Sequence, residues 1–253
     1  MAYSSVRVER SPGALGGPLS SIILVALLTG ALGGVLADQA HWGGARVVAG
    51  LAAYAAVSGV IAAAAGVERG MAGFGVANQV TLLRAGLVCL VGGALLAGPA
   101  APLGWSLAAL VAAALSLDAV DGWLARRFGV ASRFGARFDL EVDALLVLIL
   151  AVLVWQAGRV GPWVLAIGLL RYAFVLAGWL LPFLRRPLPP SRRRQAVCVQ
   201  QGVTLLLCLL PPVGTTLASV AAGVALCALL ASFTADIIYL MGIRVPLRSE
   251  RCC

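Results

Sequence analysis

Residues 105–156 read WSLAALVAAALSLDAVDGWLARRFGVASRFGARFDLEVDALLVLILAVLVWQ, and the order of apolar and charged residues in this stretch decides the fold. An apolar run closes on Asp118 and Asp121, a short basic segment follows, and a second apolar run opens with Asp139 and Asp143. Runs of about 20 apolar residues have the length a helix needs to cross a hydrocarbon core of roughly 30 Å. Asp118 and Asp121 stand three residues apart, and Asp139 and Asp143 four apart, so each pair shares one face of its helix. The connection between the two runs is short and sets the helix ends side by side. Four carboxylates therefore converge at one edge of the bilayer.

The same pattern extends along the chain. Of 253 residues, 61% are hydrophobic and only 11% are charged, far too little polar surface for a soluble domain of this length. The spanning structure is helical, because a helix satisfies its own backbone polar groups in lipid. A β-barrel would alternate apolar and polar residues, and this sequence does not. The expected fold is an all-α membrane bundle with eight spans, near 20–37, 45–66, 79–97, 103–126, 137–156, 161–183, 196–212 and 216–242. Residues 1–19 and 244–253 read as polar tails, and the first apolar run carries no cleavage pattern of a secretory signal.

The net charge of +9 rests on arginine alone, since the chain has no lysine. These arginines sit in short loops between apolar runs, which points to topology and anionic lipid headgroups rather than to nucleic acid. Arg69, the group Arg126, Arg127, Arg133 and Arg137, the group Arg185 to Arg194, and Arg244, Arg248 and Arg251 fall in alternate loops. The intervening loops hold little more than Arg159, with Arg46 at one edge. By the positive-inside rule both termini and the carboxylates are cytoplasmic. Most of the tryptophans fall at the opposite interface and read as an aromatic belt. The six cysteines show no metal-ligand spacing, His41 stands alone in a loop, and the terminal Cys252-Cys253 pair reads as a tail with at most a weak lipidation signal.

Five of the ten acidic residues fall between positions 118 and 143, and such a concentration is costly without compensation. Ionisable groups beside spans usually face a cavity, and like charges this close oppose one another unless a cation neutralises them. Hard divalent cations prefer oxygen ligands, so Mg2+, Mn2+ or Ca2+ suits this group, while the lack of His and Cys argues against zinc. Gly122 and Ala125 lie on the face of Asp118 and Asp121 and leave room for a ligand to approach the backbone. Arg126, beside them, is placed to neutralise a phosphate.

The run Asp118-x2-Asp121-Gly122-x2-Ala125-Arg126-x8-Gly135-x3-Asp139-x3-Asp143 resembles the CDP-alcohol phosphotransferase motif and matches each of its fixed positions. Asn78-x2-Thr81-x2-Arg84 looks like the element that opens the family's first core helix, with Ala77 where a proline often stands. The resemblance implies a six-helix core over 76–243, preceded by two additional transmembrane helices within 20–75. It implies transfer of a phosphatidyl-type group from a CDP-alcohol, expected to be CDP-diacylglycerol, to the hydroxyl of a second alcohol, with release of CMP in phospholipid synthesis. Asp118, Asp121, Asp139 and Asp143 would hold two divalent ions, Mg2+ or Mn2+, with Asp143 also the general base. Gly122, Ala125, Arg126 and Gly135, with Asn78 and Thr81, would contact the nucleotide. The implied setting is a bacterial cell membrane, with a CDP-linked lipid donor, a small alcohol acceptor and a homodimer.

For the acceptor, Arg133, Arg137, Arg171 and Arg193 are candidates for binding an acidic or phosphorylated group. The Arg-Glu pair of several relatives is Arg171-Tyr172 here, and the segment 189–195 lacks the lysine that relatives often carry, so the acceptor stays open. Two rival readings are a membrane carrier and a non-catalytic scaffold that keeps the motif. A carrier would continue polar groups through the bundle, and the spans are apolar away from one end apart from Arg171, Gln200, Gln201 and Asp236. Four intact aspartates argue against the scaffold.

Overall fold

A computed structural model describes residues 18–39, 43–67, 76–97, 105–128, 133–186, 188–189 and 191–242. The expectations for residues 1–17 and 243–253, for His41 and for the Cys252-Cys253 pair lie outside these residues. Among the described residues the regular structure is helical, with no strand. It forms α1 (Pro18–Gln39), α2 (Gly44–Val67), α3 (Val76–Gly93), α4 (Trp105–Phe128), α5 (Arg133–Gln156), α6 (Leu165–Leu180), α7 (Arg192–Leu209) and α8 (Thr215–Leu240). One helix falls on each expected span. Among the described residues, four segments are long and apolar enough to cross a membrane: Ser20–Asp38, Gln79–Leu96, Pro162–Leu180 and Thr215–Leu240.

Local chemistry sets the helix ends. Leu181 and Leu210 precede prolines, which disfavours the helical conformation, and both are extended, with ψ of 93° and 135°. So α6 and α7 stop there, earlier than the apolar runs themselves. Gly158 and Gly242 follow α5 and α8 with φ of 64° and 73°, the left-handed conformation that ends a helix at little cost for glycine. At its other end α7 reaches out to Arg192, beyond its apolar part, because arginine is a good helix former and needs no lipid around it.

The chain divides into two compact units between Ile149 and Leu150. In the first, α1, α2 and α4 all pack on α3. Contacts fix the directions. Ser21 meets Gln79, Thr29 lies against Gly86 and Gly33 against Leu90, so α1 runs parallel to α3. Gly50 lies against Cys89 and Leu90 while Arg46 lies against Gly93, so α2 runs antiparallel. Asp118, late in α4, meets Arg84, early in α3; Asp143, early in α5, meets the same Arg84, while Ile149 reaches Gly92. The five helices thus alternate up and down, and the beginnings of α3 and α5 share a level with the end of α4.

α3 is enclosed. Leu82, Val88, Leu90 and Val91 are wholly buried, and Phe138 of α5 packs on the cluster of Val25, Tyr54, Leu82 and Cys89. Ile23, Leu24, Leu27 and Leu28 point outward from α1, as expected for a lipid-facing stripe. Lipid is as apolar as leucine, so close packing and interhelical hydrogen bonds hold such helices together. Gln79 Nε2 donates to Ser21 Oγ at 3.3 Å and Tyr54 Oη to the Ile22 carbonyl at 3.2 Å.

In the second unit α7 and α8 pack together and α6 lies on α8. The small residues Ala218, Ala222 and Ala225 line the buried face of α8, where small side chains let backbones approach. Gln201 Nε2 donates to the Ala225 carbonyl at 2.9 Å, and Phe174 and Phe233 meet edge to face with centroids 5.2 Å apart. Arg159 Nη1 donates to the Val213 carbonyl at 2.7 Å, which ties the connection after α5 to the one between α7 and α8.

Candidate active site

Arg84 sits about two turns into α3, the only charged residue between Gln79 and Leu96, and its side chain is 0% exposed. A guanidinium buried among apolar helices must be neutralised, and it cannot lose its proton to escape the cost. The alternation of α3, α4 and α5 brings the partners. Arg84 Nη1 pairs with Asp118 Oδ1, and Nη2 lies 2.9 Å from Asp139 Oδ1 and 2.9 Å from Asp143 Oδ1. Nη2 also donates to the Asp139 backbone carbonyl at 3.2 Å. One side chain from α3 therefore binds α4 and α5 together.

Exposure gives the group a direction. The carboxylates of Asp118, Asp139 and Asp143 are 29%, 35% and 22% exposed, while the cation is sealed off beneath them. Water or a ligand reaching this group meets oxygen. One ligand atom from each of the three carboxylates lies within 4.8 Å of the others. Two unit charges at that separation repel by about 3–4 kcal/mol at an effective dielectric constant near 20. That is a large share of the stability of an ordinary domain, and three carboxylates share one guanidinium.

The donor set fits a hard divalent cation. All three ligands are carboxylates, with no sulfur or imidazole in the group. Asp139 Oδ1 is buried and lies 2.9 Å from Arg84 Nη2. The guanidinium N–H groups are aimed instead at the Asp139 carbonyl and at Asp143. The contact is thus an ion pair without a well-aimed hydrogen bond, and the second oxygen of the carboxylate remains to serve a cation.

The other candidates take the following places. Asp121, Gly122, Ala125 and Arg126 lie on the last turns of α4, Asn78 on the first turn of α3, and Arg133 opens α5; their side chains lie outside the described residues. Thr81 is buried one turn before Arg84, and Gly135 is half-buried one turn before Asp139. Arg137 is exposed on α5, and Arg171 is half-buried in α6. Arg193 pairs with Asp236 of α8, which Arg194 Nη1 also approaches at 3.4 Å. Asp236, which stands isolated in the sequence, is thus the counter-ion of the basic start of α7.

Arg84 is the residue that sequence reasoning missed as part of the site. It appears there only as the last position of the Asn78 element. A usable signal was present: a lone charge inside an apolar span marks a polar centre, and its partners must come from neighbouring helices.

A family model described as CDP-alcohol phosphatidyltransferase matches residues 74–235, more than half of the chain, and the match takes in α3, α4 and α5 with the whole carboxylate group. No curated protein and no solved structure matches the chain.

Proposed function

The chain belongs to the CDP-alcohol phosphatidyltransferase family, and we propose on that premise that it transfers a phosphatidyl group from CDP-diacylglycerol to the hydroxyl of a small alcohol and releases CMP. It is an integral membrane protein, as its family and its four apolar span-length helices imply. The reading places the reaction in phospholipid synthesis at the cytoplasmic face of a bacterial cell membrane, on a six-helix core over 76–243 with α1 and α2 as additions. The observation that carries it is the half-exposed carboxylate group gathered from α4 and α5 over one buried guanidinium.

Asp118, Asp139 and Asp143, with Asp121 by its place in the motif, would hold two divalent cations, Mg2+ or Mn2+. When bound, these supply charge neutralisation for the donor pyrophosphate and for the departing phosphate. The chain's own residues do the rest. Asp143 accepts the proton of the acceptor hydroxyl as its oxygen bonds to the phosphorus of the phosphatidyl group; the bond from that phosphorus to the CMP oxygen breaks, and CMP leaves. Gly122, Ala125 and Arg126 are assigned to the nucleotide by their place in the motif, together with Gly135, Asn78 and Thr81. Arg133 and Arg137 stand on α5 within two turns of Asp139 and are assigned to an acidic acceptor. Arg171 and Arg193 belong to the second unit and are acceptor candidates from the sequence alone.

The test is release of CMP from CDP-diacylglycerol with Mg2+ or Mn2+ across a panel of acceptor alcohols. Asp143→Asn should lower the rate by about 10²–10⁴-fold, the usual contribution of a general base. Equal rates for wild type and Asp143→Asn, or no CMP with any acceptor, would count against the assignment.

A further inference from the structure

We propose that Arg84 is a positioning residue that holds the carboxylates of Asp118, Asp139 and Asp143 in convergence so that a divalent cation meets a ready-made site. The inference rests on the metal reading of this group given above. Arg84 approaches from α3, a helix that supplies none of the motif's aspartates, yet it makes ion pairs to one of them on α4 and two on α5. Its hydrogen bond to the Asp139 carbonyl anchors the backbone of α5 as well as its side chains.

Removing the guanidinium has two opposed effects. The site becomes more negative, which favours a cation. But three side chains that are already 22–35% exposed gain freedom to turn apart into water and relieve their repulsion. Geometry outweighs charge here, because a carboxylate has two oxygens and can serve the guanidinium and a cation at once. Arg84 therefore need not leave when a cation binds, and being wholly buried it has nowhere else to be solvated. Partners that orient metal ligands in this way are typically worth about 10–100-fold in metal affinity. A planar fork is needed to reach Asp118 through one nitrogen and Asp139 and Asp143 through the other; lysine brings the charge without the fork.

The experiment measures Mn2+ binding to the full-length protein in detergent, from the resonance signal of the unbound ion, for wild type, Asp139→Asn, Arg84→Gln and Arg84→Lys. The wild type should bind Mn2+ and Asp139→Asn should weaken that binding. Binding absent in the wild type, or indifferent to Asp139→Asn, overturns the metal reading and this inference with it. With that control met, Arg84→Gln should raise the Kd for Mn2+ about 10–100-fold and Arg84→Lys should fall between. Excess Mn2+ should recover much of the CMP release of Arg84→Gln, a rescue that a simple folding defect would not show. Wild-type or tighter binding by Arg84→Gln overturns the inference alone. If Arg84→Gln does not fold, Arg84→Lys decides in its place: weakened binding supports the inference, and wild-type binding overturns it.

Discussion

Arg84 is the residue on which the first unit turns. A buried guanidinium without partners would cost more than most domains have to spare, so its three carboxylates serve the fold as its counter-ions. That makes the pairing measurable as stability. Asp118→Ala should lower the unfolding free energy in detergent by about 1–2 kcal/mol, reduced from a fully buried charged hydrogen bond because the carboxylate is 29% exposed. In a double-mutant cycle with Arg84→Gln the coupling should be about 0.5–3 kcal/mol, and strictly additive effects would show that the pair does not act as one. The carboxylate spacing was legible in the sequence because it is local, three residues on one helix and four on the next. The role of Arg84 was not, because it depends on which neighbours α3 acquires.

Among the elements, α2 and α3 approach each other backbone to backbone at two glycines. A Cβ added at Gly93 would collide with the Arg46 carbonyl oxygen, and one at Gly50 would lie 3.0 Å from both the Cys89 oxygen and the Leu90 Cα. These obstacles are backbone and cannot rotate away. Gly93→Ala should therefore destabilise the protein by about 1–3 kcal/mol, whereas Gly34→Ala on α1, with nothing within 4 Å, should be neutral or slightly stabilising. Thermal unfolding of the two variants in the same detergent checks the contrast, and equal shifts would contradict the packing described. All eight helices could be read from apolar runs, but their ends follow other rules. The run near 196–212 marks the more apolar part of α7, while the helix itself extends to Arg192 and stops at Leu209 before two prolines. Close glycine contacts were not legible either, because thirty glycines look alike in a sequence until partners are known.

At the scale of the whole molecule, apolar composition and family membership mark an integral membrane protein whose basic residues are all arginine. Each unit shows broad outward apolar surfaces, including Leu27 and Leu28 on α1, Leu176 and Leu180 on α6, and Val220 and Val224 on α8. Such faces suit lipid. On the proposed reading these carboxylates work through divalent cations on a CDP-linked lipid. The most direct measurement is the CMP appearing in the aqueous phase when protein stripped with chelator is given CDP-diacylglycerol and acceptor, before and after Mn2+ is restored. Release that is silent without the ion, returns with it, and stays silent in Asp118→Asn is the predicted result. Release that persists after chelation, or that Asp118→Asn leaves intact, would contradict the account.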